Sequence, residues 1–399
     1  METPLRGRTL LLLIAALTNA TCGSGRRPTL ETVEAVPTVF SQAPHASESW
    51  GSLGDEPLLF FSAPQATTVT RLADGRWVAA SLSTDEIVFL TADGLHQRTI
   101  GGLGVRPYGF RSLAKLWRMQ GDSLLVADRL PPGEGGNYRI LVISPEGRLV
   151  REWRLPSTGG GQPMPVCLVG GRLLFAMEIR RVPRGTAGRI REGVTGLVYR
   201  LDGTEVARRS GFAGREVEAA AGRQFRRVFH GKTGCWACGE SQVWFGDSER
   251  FAALELDTLL NSVRRVERSW DPRPVRLDSP EALTLGMAAG VRPRDSVDLG
   301  PVAIASVYPA IERLVDLGAA GLWVAAYPLP GSRTVTWSVF GRDGRWTGDI
   351  ELPPHFVPQV VAGDSLAAIV EFPDGRPAAA LWKVAGRPVP GTASQAVTR

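Results

Sequence analysis

The sequence predicts an all-β fold, a six-bladed β-propeller, and three observations carry that prediction. A short apolar run, a Gly-containing turn and a second apolar run recur roughly every forty to fifty residues, the period of a propeller blade. The apolar runs alternate with polar positions, as in Arg139 to Ser144, which marks strands with one buried face. Composition agrees: Gly 46 and Pro 29 supply turns, while 43% apolar and 22% charged residues leave enough material for a core.

The blades follow in order. Thr67 to Gly101 reads strand, Asp74-Gly75 turn, strand, loop, strand, Asp93-Gly94 turn, strand, a nearly complete first blade. Ser112 to Pro156 gives the second, with turns at Gly121-Asp122 and Glu146-Gly147. Pro163 to Phe212 gives the third, hinged on Gly170-Gly171 and Asp202-Gly203, with an Arg/Gly-rich loop expected over Arg180 to Glu192. The fourth, Arg223 to Arg268, has weaker turns and soft limits. From Trp270 to Gly300 the strand pattern fails. Ser279-Pro280-Glu281 there has the form of a helix start, with Ser279 as N-cap and Pro280 at the first helical position, so the stretch is expected as a rim insertion. Ala310 to Leu352 gives the fifth blade. The sixth, Phe356 to Gly386, supplies three strands, and its fourth is expected from Pro57 to Ser62, which would close the ring and remove open sheet edges.

Ahead of the propeller, Arg6 and Arg8, the apolar stretch Thr9 to Leu17 and the small, polar run up to Cys22 have the order of an export signal, too short to span a bilayer. The expected organisation is an export signal over 1–21, a flexible tether over 22–55, the propeller over 56–386 and a tail over 387–399. A cysteine after the small-residue run resembles a lipoprotein lipobox, although Asn19 stands where Leu is usual, and Cys22 is then the lipidation site. Acyl chains would hold the protein at a membrane of the cell envelope through the lipid anchor alone.

The lines LADGRWVAAS, IVFLTADGLHQRTIGGLGVRPYGF, GDSLLVADR, GLWVAAYPLP and WSVFGRDGRWTGDIELP resemble the six-bladed propellers related to NHL-repeat domains, especially lipoprotein-like bacterial members. The resemblance covers about Pro57 to Gly386; its motifs specify blades and carry no catalytic signature. The sequence departs from the pattern where Arg106 and Tyr108 stand among glycines, and in blade four.

Candidate chemistry is sparse. Cys235 and Cys238 form a CxxC pair, but in an expected strand and not at a helix N-terminus, and no second CxxC or paired histidines complete a zinc set. With Cys167 on the corresponding strand of blade three, an exported chain is expected to form one structural disulfide among these three, within the CxxC or between blades. His45, His96, His230 and His355 are isolated. Propeller lactonases resemble this fold and hold a divalent cation in a carboxylate and amide cluster. Asp128, Glu178, Asp247 and Glu371, each following an apolar strand, are the weak candidates for such a metal site. The net charge of +6 is dominated by arginines in two regions, Arg180 to Arg191 and Arg208 to Arg227. With Trp236 and Trp270 beside turns, Arg180, Arg181, Arg184 and Arg189 form a candidate ligand surface for an anionic polysaccharide, a small ligand or an envelope protein; export argues against nucleic acid. The reading is a monomeric binding module with no resident cofactor. The alternatives are a metal-dependent, lactonase-like hydrolase or lyase using the central channel, and a purely structural envelope component.

Overall fold

The computed structural model describes residues 38–40 and 57–384, apart from 58, 105–107, 135–136, 158–160, 181, 183–185, 220–224, 276–302, 364 and 372–375. After a short first strand, β1 (Thr38–Phe40), and a second, β2 (Leu59–Pro64), the blades follow as the turn pattern predicts. Blade one is β3 (Thr68–Arg71), β4 (Trp77–Ser81), β5 (Glu86–Leu90) and β6 (His96–Gly101). Blade two is β7 (Leu113–Arg118), β8 (Leu124–Arg129), β9 (Tyr138–Ile143) and β10 (Leu149–Arg154). Blade three is β11 (Met164–Val169), β12 (Leu173–Ile179), β13 (Gly188–Arg200), β14 (Glu205–Ala219) and β15 (Phe225–Arg227). Blade four is β16 (Gly234–Cys238), β17 (Val243–Asp247), β18 (Ala252–Leu256) and β19 (Ser262–Glu267). Blade five is β20 (Ile311–Asp316), β21 (Leu322–Ala326), β22 (Val335–Phe340) and β23 (Trp346–Leu352). Blade six is β24 (Val357–Ala362), β25 (Ser365–Glu371) and β26 (Pro377–Lys383), completed on its outer edge by β2. Within blades every pairing is antiparallel, and the first strand of each lies innermost, so that β3, β7 and β11 and then β11, β16 and β20 adjoin around the axis while β24 returns to β3.

The core is divided among the six blade-to-blade interfaces. Phe89 and Phe110 of blade one pack against Leu116 and Leu141 of blade two, and Leu125 and Ile140 of blade two against Leu174 and Tyr199 of blade three. Phe175 and Phe212 meet Val243 and Phe245; Trp244 and Phe251 meet Leu314 and Phe340; Trp337 meets Trp382; and Ala367 and Ala379 of blade six meet Trp77 and Val88 of blade one. A ring of radial sheets buries both faces of each blade, and this explains why middle strands such as Trp77–Ser81 and Leu124–Arg129 read as nearly continuous apolar runs.

Two elements differ from the expectation. The Arg180 to Glu192 stretch is strand from Gly188 onward: β13 and β14 form a hairpin that continues past the ordinary blade length, through register shifts after Arg191, Val194 and Val198. Arginines suited to a solvated loop serve equally on a two-stranded ribbon that outgrows its neighbours. In the stretch expected as tether, Thr38–Phe40 pairs in parallel with Arg265–Glu267 on the outer edge of blade four. That edge otherwise presents unpaired backbone groups, which a short added strand satisfies. The expected helix start at Ser279 and the candidate lipidation site Cys22 lie outside the described residues. No helix among the described residues is long and apolar enough to cross a membrane.

Candidate binding site at the channel mouth

A concavity lies where the innermost strand of each blade turns into its second strand. A cavity of about 740 Å³ there is lined by residues from all six blades, among them Thr70, Arg118, Leu168, Gly239, Asp316 and Val360. Its rim is stitched from blade to blade. The Ala73 amide of blade one donates to Asp122 Oδ2 of blade two at 2.9 Å. The Gln120 amide of blade two donates to the Gly171 carbonyl of blade three at 3.1 Å, and the Gly170 amide to the Gly239 carbonyl of blade four at 2.9 Å. Gln242 Nε2 and Trp244 Nε1 of blade four both donate to Asp316 Oδ2 of blade five at 3.0 Å. The turn between β11 and β12 requires glycine on two grounds. Gly170 and Gly171 have φ of +57° and +64°, and a Cβ on them would lie 2.4 Å from the Glu240 carbonyl oxygen and 2.6 Å from the Gln120 nitrogen.

The mouth carries both signs of charge. Burial pushes the Asp316 carboxyl above its ordinary range, against the lowering effect of donors from Gly318 N–H, Trp244 and Gln242. Arg118 is paired with Asp122 at 2.7 Å, and the Arg71 guanidinium lies 5.4 Å from the Trp77 ring centroid. Just inside the rim, Cys238 is disulfide-bonded to Cys167, joining the innermost strands of blades three and four with Cα atoms 5.7 Å apart. Among the described residues Cys235 is the free thiol; burial pushes its pKa up to about 12, and its Sγ donates to the Glu312 carbonyl at 3.0 Å. The CxxC is therefore divided, one sulfur crosslinked to the neighbouring blade and the other enclosed.

The four carboxylates lie at the opposite end of the blades, and each has local partners. Asp128 is fully buried, accepts the amides of Arg111 and Ser112 at 2.9 and 2.8 Å, and pairs with Arg139 at 2.7 Å. Arg139 also donates to the carbonyls of Tyr108 and Gly109, so the pair pins the connection from blade one to blade two. Glu178 is buried with Arg208 at 3.7 Å, Asp247 accepts from Arg191 at 3.0 Å, and Glu371 is exposed beside His355 at 3.5 Å. Among the described residues no three His, Cys, Asp or Glu side chains converge as metal ligands would.

The candidate ligand surface is dispersed. Arg180 donates to Thr195 Oγ1 at 3.1 Å and to Ser210, and Arg189 donates to the Ile304 carbonyl at 2.9 Å. Arg181 and Arg184 lie outside the described residues. Trp236, expected beside a turn as a surface residue, instead packs among Phe175, Phe212 and Phe245 with ring centroids 4.6 to 4.8 Å away, because its strand is innermost and its side chain enters the interface between blades three and four. Trp270 lines a smaller cleft of about 250 Å³ between blades four and five, together with Tyr308 and Tyr327.

Sequence reasoning passed over the rim, and with it Asp316, Lys115 and Arg313. A signal was present: the innermost strands LAKLWR and IERLVD, set side by side, place a cation before Leu at the same position of blades two and five.

The fold and its mouth are those of a six-bladed β-propeller. No protein-family model and no curated protein matches the sequence. Among solved structures, the chain is similar to a Bacteroides fragilis protein whose description is that of an exported protein (9% identity, 88% of this chain and 100% of that one, TM-score 0.48). It is also similar to a member of the DUF4221 family from Bacteroides vulgatus (11% identity, 84% and 98%, TM-score 0.48). A third is virginiamycin B lyase from Staphylococcus aureus (11% identity, 82% and 88%, TM-score 0.37). These are likenesses of fold and name no ligand for this chain.

Proposed function

We propose that this protein is an exported, lipid-anchored β-propeller that binds a ligand at the channel mouth and performs no chemistry of its own. The observation that carries the reading is the hydrogen-bonded rim from blade one to blade five around a preformed cavity. A concave seat already held in shape loses little conformational freedom on binding. The carboxylates that a metal-dependent hydrolase would need are engaged instead in holding blade connections and neighbouring arginines. Export and anchoring rest on the basic, apolar and small-residue order ending at Cys22, and the hairpins of blades one, two and five carry the NHL-type resemblance. The ligand is a small molecule, an anionic polysaccharide or a segment of an envelope protein, taken up by a monomer.

The test is a thermal-shift screen of small anions and envelope glycans, with metal analysis of the dialysed protein. The reading expects a ligand-dependent rise in melting temperature that Ala73→Trp, at the exposed rim, abolishes, and no response to chelator. A stoichiometric ion whose removal lowers the melting temperature would overturn it in favour of channel catalysis. Mass spectrometry of the processed N-terminus tests the anchor at Cys22.

A further inference from the structure

The innermost strands of blades two, three, five and six carry the same irregularity, and in blades two and five it is followed by a cation. In β7 the pairing with β8 skips Ala114 between Leu113 and Lys115; in β20 the pairing with β21 skips Glu312 between Ile311 and Arg313. Each bulge is followed directly by a cation, and Lys115 and Arg313 stand opposite corresponding alanines, Ala127 and Ala325. A β-bulge re-aims the side chains beside it. Blades two and five are three steps apart in a ring of six, so the two cations belong to strands on opposite sides of the axis, near enough for the field of Arg313 to act on Lys115.

Neither has a carboxylate within ion-pair distance or a hydrogen-bond acceptor among the described residues, unlike Arg139, Arg191, Arg264 and Arg268. Desolvation lowers the Lys115 pKa, and the field of Arg313 lowers it further. Glu312, the one carboxyl beside Arg313, is pushed up by burial against the lowering field of Arg313, and its own field also falls on Cys235 and Tyr327 between blades four and five. Lys115 is exposed and Arg313 half-buried, so a solute can reach both, and an anion between them would relieve the repulsion of two like charges. Arg118 and Asp316 line the cavity at the mouth, and Lys115 and Arg313 sit three residues further along the same strands, roughly 10 Å deeper.

We propose that the central channel binds a small oxyanion, a carboxylate- or phosphate-bearing solute, between Lys115 and Arg313. This deepens the binding-module reading and rests on it. A guanidinium fork facing an ammonium suits a group with two or more anionic oxygens, the arrangement in which charge-assisted hydrogen bonds are strongest.

The experiment is calorimetric titration of the full mature chain with inorganic phosphate and, separately, malonate, in HEPES at constant ionic strength. Saturable one-to-one binding of at least one probe is expected, weakened tenfold or more by Lys115→Met and by Arg313→Met and unchanged by Arg345→Met, on the exposed surface. Phosphate alone binding assigns a phosphoryl group, and malonate alone a carboxylate. Without either probe, Lys115→Met and Arg313→Met should melt no lower than the wild type, since each removes a repulsion. Absence of saturable binding, equal binding by the variants, or a lower melting temperature of both variants without probe would overturn the proposal. If a ligand from the rim screen still binds in any of those cases, only the anion falls and the binding module stands; a functional metal would remove both.

Discussion

Removing the Cys167–Cys238 disulfide tests the coupling of blades three and four. The crosslink spans a sequence separation of 71 residues. In the chain-entropy treatment, a loop of that length restricts the unfolded chain by about 15 cal/mol/K, or about 4 kcal/mol at room temperature. Unfolding entropy near 2.1 cal/mol/K per residue gives about 0.7 kcal/mol/K for a propeller of about 330 residues, so the melting temperature should fall by about 6 °C. The assay is differential scanning calorimetry of a Cys167→Ala/Cys238→Ala double variant beside the wild type with and without reductant. The reduced wild type should melt with the variant, because the two differ little except in packing at the interface of blades three and four. Cys235→Ala serves as the comparison, since it deletes only a partly buried thiol and its hydrogen bond to the Glu312 carbonyl. A double variant that melts with the oxidised wild type, or a larger loss from Cys235→Ala, would refute the assignment of the crosslink to these two sulfurs.

Other consequences can be measured directly. Asp128→Ala leaves Arg139 with only the half-exposed Glu152 carboxylate at 3.6 Å and should cost about 3–5 kcal/mol in denaturant unfolding, with Asp128→Asn intermediate because it keeps an acceptor for the Arg111 and Ser112 amides. Cys235, its thiol pushed up to about 12, should resist iodoacetamide at about pH 8 in the folded protein and react after unfolding, as read by intact mass. Burial lowers the His230 pKa, so the unfolded chain takes up that proton first; the contribution of the neutral ring is complete above the unfolded value and is lost as pH falls through it. Between about pH 7 and pH 5 the wild type should therefore lose more stability than His230→Phe, while the raised carboxyls of Glu312 and Asp316 act in the opposite sense and are common to both proteins.

The blades were legible because their information is local. Asp74-Gly75, Asp93-Gly94, Asp202-Gly203 and Asp343-Gly344 mark tight turns whose glycines have positive φ, and the apolar runs between them are long enough to be strands. Closure was legible too: a blade with three strands and an unclaimed apolar run at the start of the domain imply each other, and Leu59–Pro64 pairs with β26. The short strand Thr38–Phe40 was illegible, since three residues carry no period and what selects them is an open edge formed by residues more than two hundred positions away. Trp236 was misplaced for a related reason. Proximity to a turn in sequence says nothing about whether a strand is innermost, and the innermost strand of blade four packs a partly buried Trp236 against blade three.

The charges argue for where recognition occurs. At the end of the blades away from the cavity, Asp128 and Asp247 are held to backbone amides and arginines, so their geometry serves the connections between strands. At the cavity end, Asp122 and Asp316 hold the turns of adjacent blades together. Groups that already hold structure cannot be redirected to a ligand without loosening the ring. Lys115 and Arg313 are different: they follow bulges at the same position of opposite innermost strands, Lys115 is exposed and Arg313 half-buried, and neither holds a blade connection. Leaving two cations unpaired in a channel opposes folding, so a fold that retains both on the same slot of opposite blades is stabilised by whatever anion enters. Binding there would then raise stability through simple linkage, by RT ln(1 + [L]/Kd). The size of the thermal shift at a known probe concentration therefore reports the affinity of the channel independently of the calorimetric heat, and the two must agree if the anion sits between these residues.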